Sequence, residues 1–473
     1  MKRFLFISTL ALTLTACSSW VSMVTPTTPS IKAPASGWRV PEGFKLAAPS
    51  DNRIAGSWWE SYQDPVLNDL EKRVENANQT LAQADAQYRQ ALAAVGIAGA
   101  ALSPTANLNL TANRSQQPIL TTGGLAHPPA SNLYQLTGQV SWEPDLWGAI
   151  HASVASAEAT RQASAANRGA VLLSLQSQAA IDYLQLRFTD ANIRLLEETE
   201  QAYTKSVELT QQRFKSGVAA RSDVTQATTQ LETARANLAD ARLNRASLEH
   251  AIAVLVGESA SDFRIEKQAY KPVQWPSVPL GIPSELLERR PDIANAQRQV
   301  FAATQKLNAD EAAFFPVVTL SASAGFESKQ VRSWLALPKS LWSIGPQITQ
   351  YLLDGGNRTA TRDQQLAVLD QSVANYREVV LESFQAVEDN LSALVWLDEE
   401  IIRQNLADRA ARETLEIINR QYLSGTVSYL NVITAQTALL SAESNIFNVE
   451  SRKAAAHVQL VKALGGGWSG LKN

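Results

Sequence analysis

The residue with the clearest covalent chemistry is Cys17, the only cysteine among 473 residues. It closes the stretch Leu14-Thr15-Ala16-Cys17, which follows Lys2, Arg3 and an apolar run from Phe4 to Leu14. That is the layout of a secretory signal, and its last four residues resemble a bacterial lipobox, in which the cysteine is lipidated and becomes the first residue of the mature chain. A single cysteine excludes internal disulfides and metal clusters built on thiolates. His127, His151, His250 and His457 are scattered without metal-ligand spacing, and each reads as a surface or loop residue. Neither a His-Glu-x-x-His nor a phosphate-cradling Gly-x-x-x-x-Gly-Lys motif occurs, so enzymatic chemistry finds little footing and no enzyme is expected. The only non-protein group expected is the covalent lipid on Cys17; no cofactor or metal is.

A net charge of −3 with 18% charged residues offers no basic surface for nucleic acid. After the signal, no stretch approaches the roughly 18 to 20 apolar residues of a membrane-spanning helix. If the chain crosses a bilayer, it does so as strands of a closed barrel.

Most of the chain is helical in pattern, rich in Ala, Gln, Leu, Glu and Arg over 64–100, 149–215, 222–256, 284–312, 357–423 and 428–464. A glycine-centred stretch, QRFKSGVAARSDV at 212–224, returns as RQYLSGTVSYLNV at 420–432, with Gly217 answered by Gly425, 425 − 217 = 208 positions later. The helix after each turn carries a 3,4 apolar spacing. In the first copy it runs Val224, Ala227, Leu231, Ala234, Leu238, Ala241, Arg245, Leu248, Ile252, Leu255. The second copy repeats it from Val432 to Ala463, with Lys453 in the place of Arg245. Such a heptad seam belongs to helices that supercoil around neighbours. The basic pair marks where the seam meets either water or a carboxylate.

Four segments switch to a period of two. Ala106, Leu108, Leu110 and Ala112 alternate with Thr105, Asn107, Asn109 and Thr111, and Tyr134, Leu136, Gly138, Val140 and Trp142 alternate with Gln135, Thr137, Gln139 and Ser141. Val318, Leu320, Ala322, Ala324 and Phe326 do likewise, as do Trp342, Ile344, Ile348 and Leu352. Each pattern predicts a strand with one polar face, about 11 residues long, enough when tilted to cross roughly 30 Å of hydrocarbon. Tyr134, Trp142, Trp334 and Trp342 suit an interfacial girdle, and Pro346 is expected at a bulge or a sheet edge. Gly148 and the DGGN stretch at 354–357 read as matching strand-to-helix corners. Four strands are too few to enclose a lumen, so several chains must share one barrel.

The stretches WWESYQDPVLNDL at 58–70 and ELLERRPDIANAQ at 285–297, the paired Ser-Gly turns and the final helix resemble the TolC-like outer-membrane efflux proteins. Within that family the likeness is to the lipoprotein channel subunits of resistance-nodulation-division efflux systems, over essentially the whole mature chain. Ser18, where Asp is absent, resembles lipoproteins sorted to the outer membrane of a Gram-negative bacterium. The fold implied is mainly α with a membrane β-barrel: long coiled-coil helices forming a periplasmic α-barrel tunnel, plus four strands per protomer in two internal repeats. A homotrimer would close twelve strands. The resemblance also implies a periplasmic adaptor (membrane fusion) protein, an inner-membrane transporter, and a passive exit duct for small toxic compounds or drugs.

Carried over by position, the periplasmic gate falls on Asp223, Tyr429, Leu430, Asn431 and Thr434. The adaptor-docking turns fall on Ser216, Gly217, Val218, Ser424, Gly425 and Thr426. Family members often place aspartates where this chain has Asn431 and Thr434, so a strong cation preference is not implied here. Ser222 or Asp223 also suits a helix cap, and the Pro291-Asp292 pair in RRPDI is a helix start. The expected divisions are a lipoprotein signal (1–16), a lipidated extended segment (17–63), and a first repeat (64–256) with strands 104–114 and 133–142 and a turn near 217. A Pro-rich equatorial linker (257–283) follows, then a second repeat (284–464) with strands 316–326 and 341–353 and a turn near 425, and a tail (465–473). Two other readings use the same motifs: a conduit for type I protein secretion, and a non-channel periplasmic coiled-coil lipoprotein with a soluble sheet.

Overall fold

A computed structural model describes residues 25, 29, 56–116, 119–121, 124–126, 129–273, 275–276, 289–333, 335 and 339–466. The signal, Cys17, His127, Trp334, the end of the linker and most of the tail lie outside the described residues. The chain divides into two units, one from Gln87–Ser164 and Ala296–Tyr376, the other from Ser30–Ala86, Ala165–Asn295 and Arg377–Asn473, apart from its first residues.

The first unit holds the sheet. Its strands are β1 (Thr105–Ser115), β4 (Ser131–Trp142), β5 (Val317–Ser328) and β6 (Ser340–Thr349), in the order β1-β4-β5-β6, each antiparallel to its neighbour. A short hairpin, β2 (Ile119–Thr121) with β3 (Gly124–Ala126), lies between β1 and β4 in the chain. The expectation that the last strand reaches residue 353 is corrected: β6 stops at Thr349. Beyond it, Arg358 donates to the Tyr351 carbonyl at 2.7 Å and to the Asp354 carboxylate at 2.6 Å, which turns the chain away from the ladder. Pro346 pairs with Leu320 without a bulge, on a strand that has a free edge. Strands β4 and β5 approach closely because residue 325 is glycine; a Cβ there would lie 2.0 Å from the Leu136 carbonyl oxygen. At the corners, Trp147 stacks on Phe315 at 5.1 Å and donates to the Pro316 carbonyl at 2.7 Å.

The second unit is built on paired helices, several of which also contribute residues to the first. Helix α1 (Pro65–Ala77) starts where Asp64 accepts from the Val66 and Leu67 amides at 2.9 and 3.3 Å, with Pro65 in its first turn. One continuous helix over 64–100 is not found: Asn78 is extended, accepts from the Leu81 amide and donates to the Leu255 carbonyl, so α2 (Gln79–Ala100) begins anew. Helices α3 (Ala149–Lys215) and α4 (Arg221–Leu255) form the first coil; α6 (Asn357–Leu423) and α7 (Tyr429–Ala463) form the second. The seam positions Ala227, Leu231, Ala234, Leu238, Ala241 and Ile252 are buried, as are Val432, Ala435, Ala442, Val449, Ala456, Leu460 and Ala463. The basic pair of the seam meets carboxylates in both copies. Arg245 donates to Asp190 at 2.6 Å, and Lys453 lies 2.5 Å from Asp398, where 398 − 190 = 208. Helix α5 (Pro291–Ala312) begins at a proline, and Arg290 before it donates to the Ala463 carbonyl at 2.9 Å, placing a cation at the end of α7.

His457, expected at the surface or in a loop, is buried on α7. Its Nε2 donates to the Pro276 carbonyl at 2.8 Å, so Nδ1 accepts from the Tyr62 hydroxyl at 2.6 Å, and Trp275 lies against the ring. Burial, the largest cause, holds this imidazole below its ordinary range; the Pro276 bond opposes the shift and Lys453 adds to it. A base depressed in the folded state binds fewer protons there than in the unfolded chain. Its contribution to stability is therefore complete above the unfolded value and is lost as pH falls through the folded one. Between about pH 8 and about pH 5, the melting temperature is expected to fall more steeply for the native chain than for His457→Gln. Parallel melting curves for the two would refute this.

Candidate functional site

The alternating residues of the sheet fall into register as whole rows. Ala106, Val140, Ala322 and Ile344 lie side by side across the four strands, as do Leu108, Gly138, Ala324 and Trp342. The intervening row is Asn107, Gln139, Ser323 and Ser343, with the two serine hydroxyls 2.8 Å apart. Since neighbouring residues point to opposite faces, one face is apolar and the other carries amides and hydroxyls. The apolar face is open: Leu108, Leu110, Trp342, Ile344 and Ile348 are all exposed, Trp342 and Ile344 at 76%. Trp142 is partly exposed, with its indole donating to the Leu102 carbonyl at 3.0 Å. Both outer strands, β1 and β6, keep an unpaired edge, and all eleven residues of β1 are exposed.

In the second unit the two helix reversals use the same backbone device. Gly217 and Gly425 have φ of +75° and +80°. The Gly217 and Val218 amides donate to the Phe214 and Arg213 carbonyls, both at 2.9 Å; those of Gly425 and Thr426 donate to the Tyr422 and Gln421 carbonyls, both at 3.0 Å. These are the two bonds of a Schellman motif, which only a left-handed residue closes and glycine adopts without strain. Ser216, Val218, Ser424 and Thr426 are exposed around them. The Ser216 hydroxyl donates to the Gln212 carbonyl, and the hydroxyls of Ser424 and Thr426 to that of Gln421, all at 2.9 Å.

The residues after the turns part company. Leu430, Asn431 and Thr434 are exposed, and the Thr434 hydroxyl donates back to the Leu430 carbonyl at 3.0 Å. Asp223 is half-buried in the first turn of α4. The side-chain cap expected from Ser222 or Asp223 is absent, because the capping position is Ala220 and no side chain bonds there. The Asp223 carboxylate instead faces the positive end of the helix dipole. Tyr429 is buried, packed on Tyr422 at 5.3 Å between ring centres, with its hydroxyl 2.9 Å from that of Ser206. The Arg213 guanidinium lies 4.8 Å from the Tyr422 ring centre. Burial pushes both phenols up; nearby Arg213 pulls Tyr422 down and Asp223 pushes both further up. Tyr422, Arg213 and Ser206 were not singled out from sequence. The available signal was an aromatic three residues before each glycine, Phe214 and Tyr422, although Phe214 is exposed. A cavity of about 430 Å³ opens beside this cluster, lined by Tyr203, Ser206, Leu209, Leu415, Tyr422 and Tyr429 among others.

Nothing in these two places pairs a nucleophile with a base. A sheet dressed for lipid on one face and for water on the other, joined to a duplicated helical hairpin, defines a class of membrane duct. The model of the outer membrane efflux protein family matches residues 70–258 and 282–466, and the chain belongs to that family. Its place is the outer membrane. It is 30% identical to the pyoverdine export outer membrane protein OpmQ of Pseudomonas aeruginosa, over 99% of this chain and 97% of that one. To the toluene efflux pump outer membrane protein TtgF of Pseudomonas putida it is 29% identical, over 100% of this chain and 98% of the relative. Among solved structures, the outer-membrane channel OprN superposes with a TM-score of 0.83 at 26% identity, covering 94% of this chain and all of that one.

Proposed function

We propose that this chain is the outer-membrane exit duct of a tripartite efflux pump, passing small toxic compounds expelled by an inner-membrane transporter through a periplasmic adaptor. Three copies each lend four strands to one closed barrel, and their helices continue the tunnel. The observation that carries this reading is the sheet itself: an exposed apolar face, a face of Asn, Gln, Ser and Thr, and two unsatisfied edges. A barrel satisfies both demands at once, since lipid covers the apolar rows and the edges pair with neighbouring copies.

In this reading the turns at Ser216, Gly217 and Val218 and at Ser424, Gly425 and Thr426 receive the adaptor. Asp223, Leu430, Asn431 and Thr434 line the gate. Tyr429 stands behind it, holding α7 to α3 through Ser206. Cys17 carries the lipid that tethers the chain to the membrane. Relatives are named for pyoverdine export and toluene efflux, which supports an organic cargo for this chain too.

The experiment is conductance in a planar lipid bilayer. The purified native protein is expected to give small, brief steps, and Tyr429→Ala larger and longer ones, because the α7 to α3 bond and the Tyr422 packing are both lost. Silence from both proteins, when each is folded and inserted, would overturn the duct.

A further inference from the structure

The corner after β6 shows two leucines to solvent, the most exposed of the large apolar side chains among the described residues. Leu352 is 87% exposed and Leu353 95%. They do not dangle. Arg358 braces the corner from within the same copy, bonding the Tyr351 carbonyl and the Asp354 carboxylate, with its guanidinium 5.4 Å from the Phe314 ring centre. Helix α2 has a matching bare surface in its last turns: Leu92, Ala93, Gly96, Ile97 and Ala100 are all exposed, at the spacing of one helical face. Ile97 is 76% exposed, and a Cβ built on Gly96 meets nothing within 4 Å. Within one copy, neither surface has a partner of its own kind.

Strand direction says where each would find one. Successive strands alternate, so β6 ends at Thr349 on the side of the sheet where β1 begins at Thr105. A second copy's β1, laid along the free edge of β6, continues the antiparallel ladder. The residues following Thr349 in one copy then stand level with those preceding Thr105 in the next, which are the turn over 101–104 and, before it, the end of α2. We infer that Leu352 and Leu353 of each copy pack on the Gly96, Ile97 and Ala100 surface of α2 in the adjoining copy, forming a hydrophobic clasp at the seam where two chains share the barrel. The glycine leaves room for a leucine, and burial of both surfaces removes apolar area from water. This clasp rests on the shared-barrel reading above.

Its test is disulfide trapping in the full-length lipoprotein, extracted in detergent, carrying both Leu353→Cys and Ala100→Cys. A disulfide forms only where Cα atoms come within about 7 Å. Mild oxidation is expected to drain the monomer band into cross-linked species ending at the full oligomer, with each single variant setting the background. Leu352→Ser with Leu353→Ser is expected to lower the temperature at which the native oligomer falls apart, while the far-ultraviolet helical signal at room temperature is kept. If native mass shows an oligomer but oxidation gives no more than background, the clasp is wrong and the shared barrel stands. If the unaltered chain proves monomeric, both fail. Labelling of residue 353 by a photoactivatable phospholipid, in place of cross-linking, would assign the leucines to lipid and overturn the clasp as well.

Discussion

Ile344→Arg is expected to keep this protein from assembling in the outer membrane, while Ser343→Arg, on the next residue, leaves assembly intact. Ile344 lies in an apolar row with Ala106, Val140 and Ala322, three-quarters exposed on the face assigned to lipid. An arginine at mid-depth on such a face costs about 2–4 kcal/mol per chain, and a barrel sharing the change among its copies multiplies that cost. Ser343 lies in the polar row, where the change removes one hydroxyl contact, to Ser323 at 2.8 Å, and places the charge in water. Outer-membrane fractionation and native mass of the two variants provide the comparison. Equal tolerance would mean that the apolar face does not meet lipid. Equal failure would mean that both faces are packed against protein.

The second large effect concerns the duplicated ion pair in the helical seams. Asp190→Ala is expected to destabilise the chain by about 3–5 kcal/mol, and Asp398→Ala by at most about 1 kcal/mol. The two carboxylates sit at corresponding places, yet their surroundings differ. The side chains of Asp190 and Arg245 are 4% and 12% exposed; Asp398 is 52% exposed. Removing Asp190 leaves a guanidinium in a low-dielectric site, with Glu249 at 3.3 Å and the Ile265 carbonyl at 2.8 Å as its remaining partners. Removing Asp398 leaves an ammonium that still lies 5.1 Å from the Trp275 ring centre. Thermal or denaturant unfolding in detergent measures both, and similar losses for the two would contradict the burial argument.

What periodicity governs was legible from the residues alone. Most of the seam positions that the 3,4 spacing picked out are buried in both coils, and the rest, Val224, Leu248, Leu439 and Ile446 among them, are half-buried. The strand alternation separated the faces, because a period-two pattern survives whatever lies beside the strand. What depends on remote partners was not legible. His457 is buried by Tyr62 and by the linker at Trp275 and Pro276, groups 395 and about 180 positions away, which no local pattern announces. The break at Asn78 is invisible in a helical composition, since it is the Leu255 carbonyl on another helix that rewards the extended backbone. Strand order had the same limit: nothing in β4 or β5 alone names the other as its neighbour. Alternation ran on to Leu352, and a corner braced by Arg358 ended β6 sooner.

The twin reversals at Gly217 and Gly425 share a backbone and a Ser-Gly pair but differ in the residues that follow. Where the first presents Arg221, Ser222 and Asp223, the second presents Tyr429, Leu430 and Asn431 at the same offsets. Any ring assembled from copies of this chain therefore displays two kinds of tip in turn, one ionic and one neutral. A docking protein made of identical subunits that bound every tip would have to adopt two bound shapes or recognise what the tips have in common, the backbone of the reversal and its exposed serine.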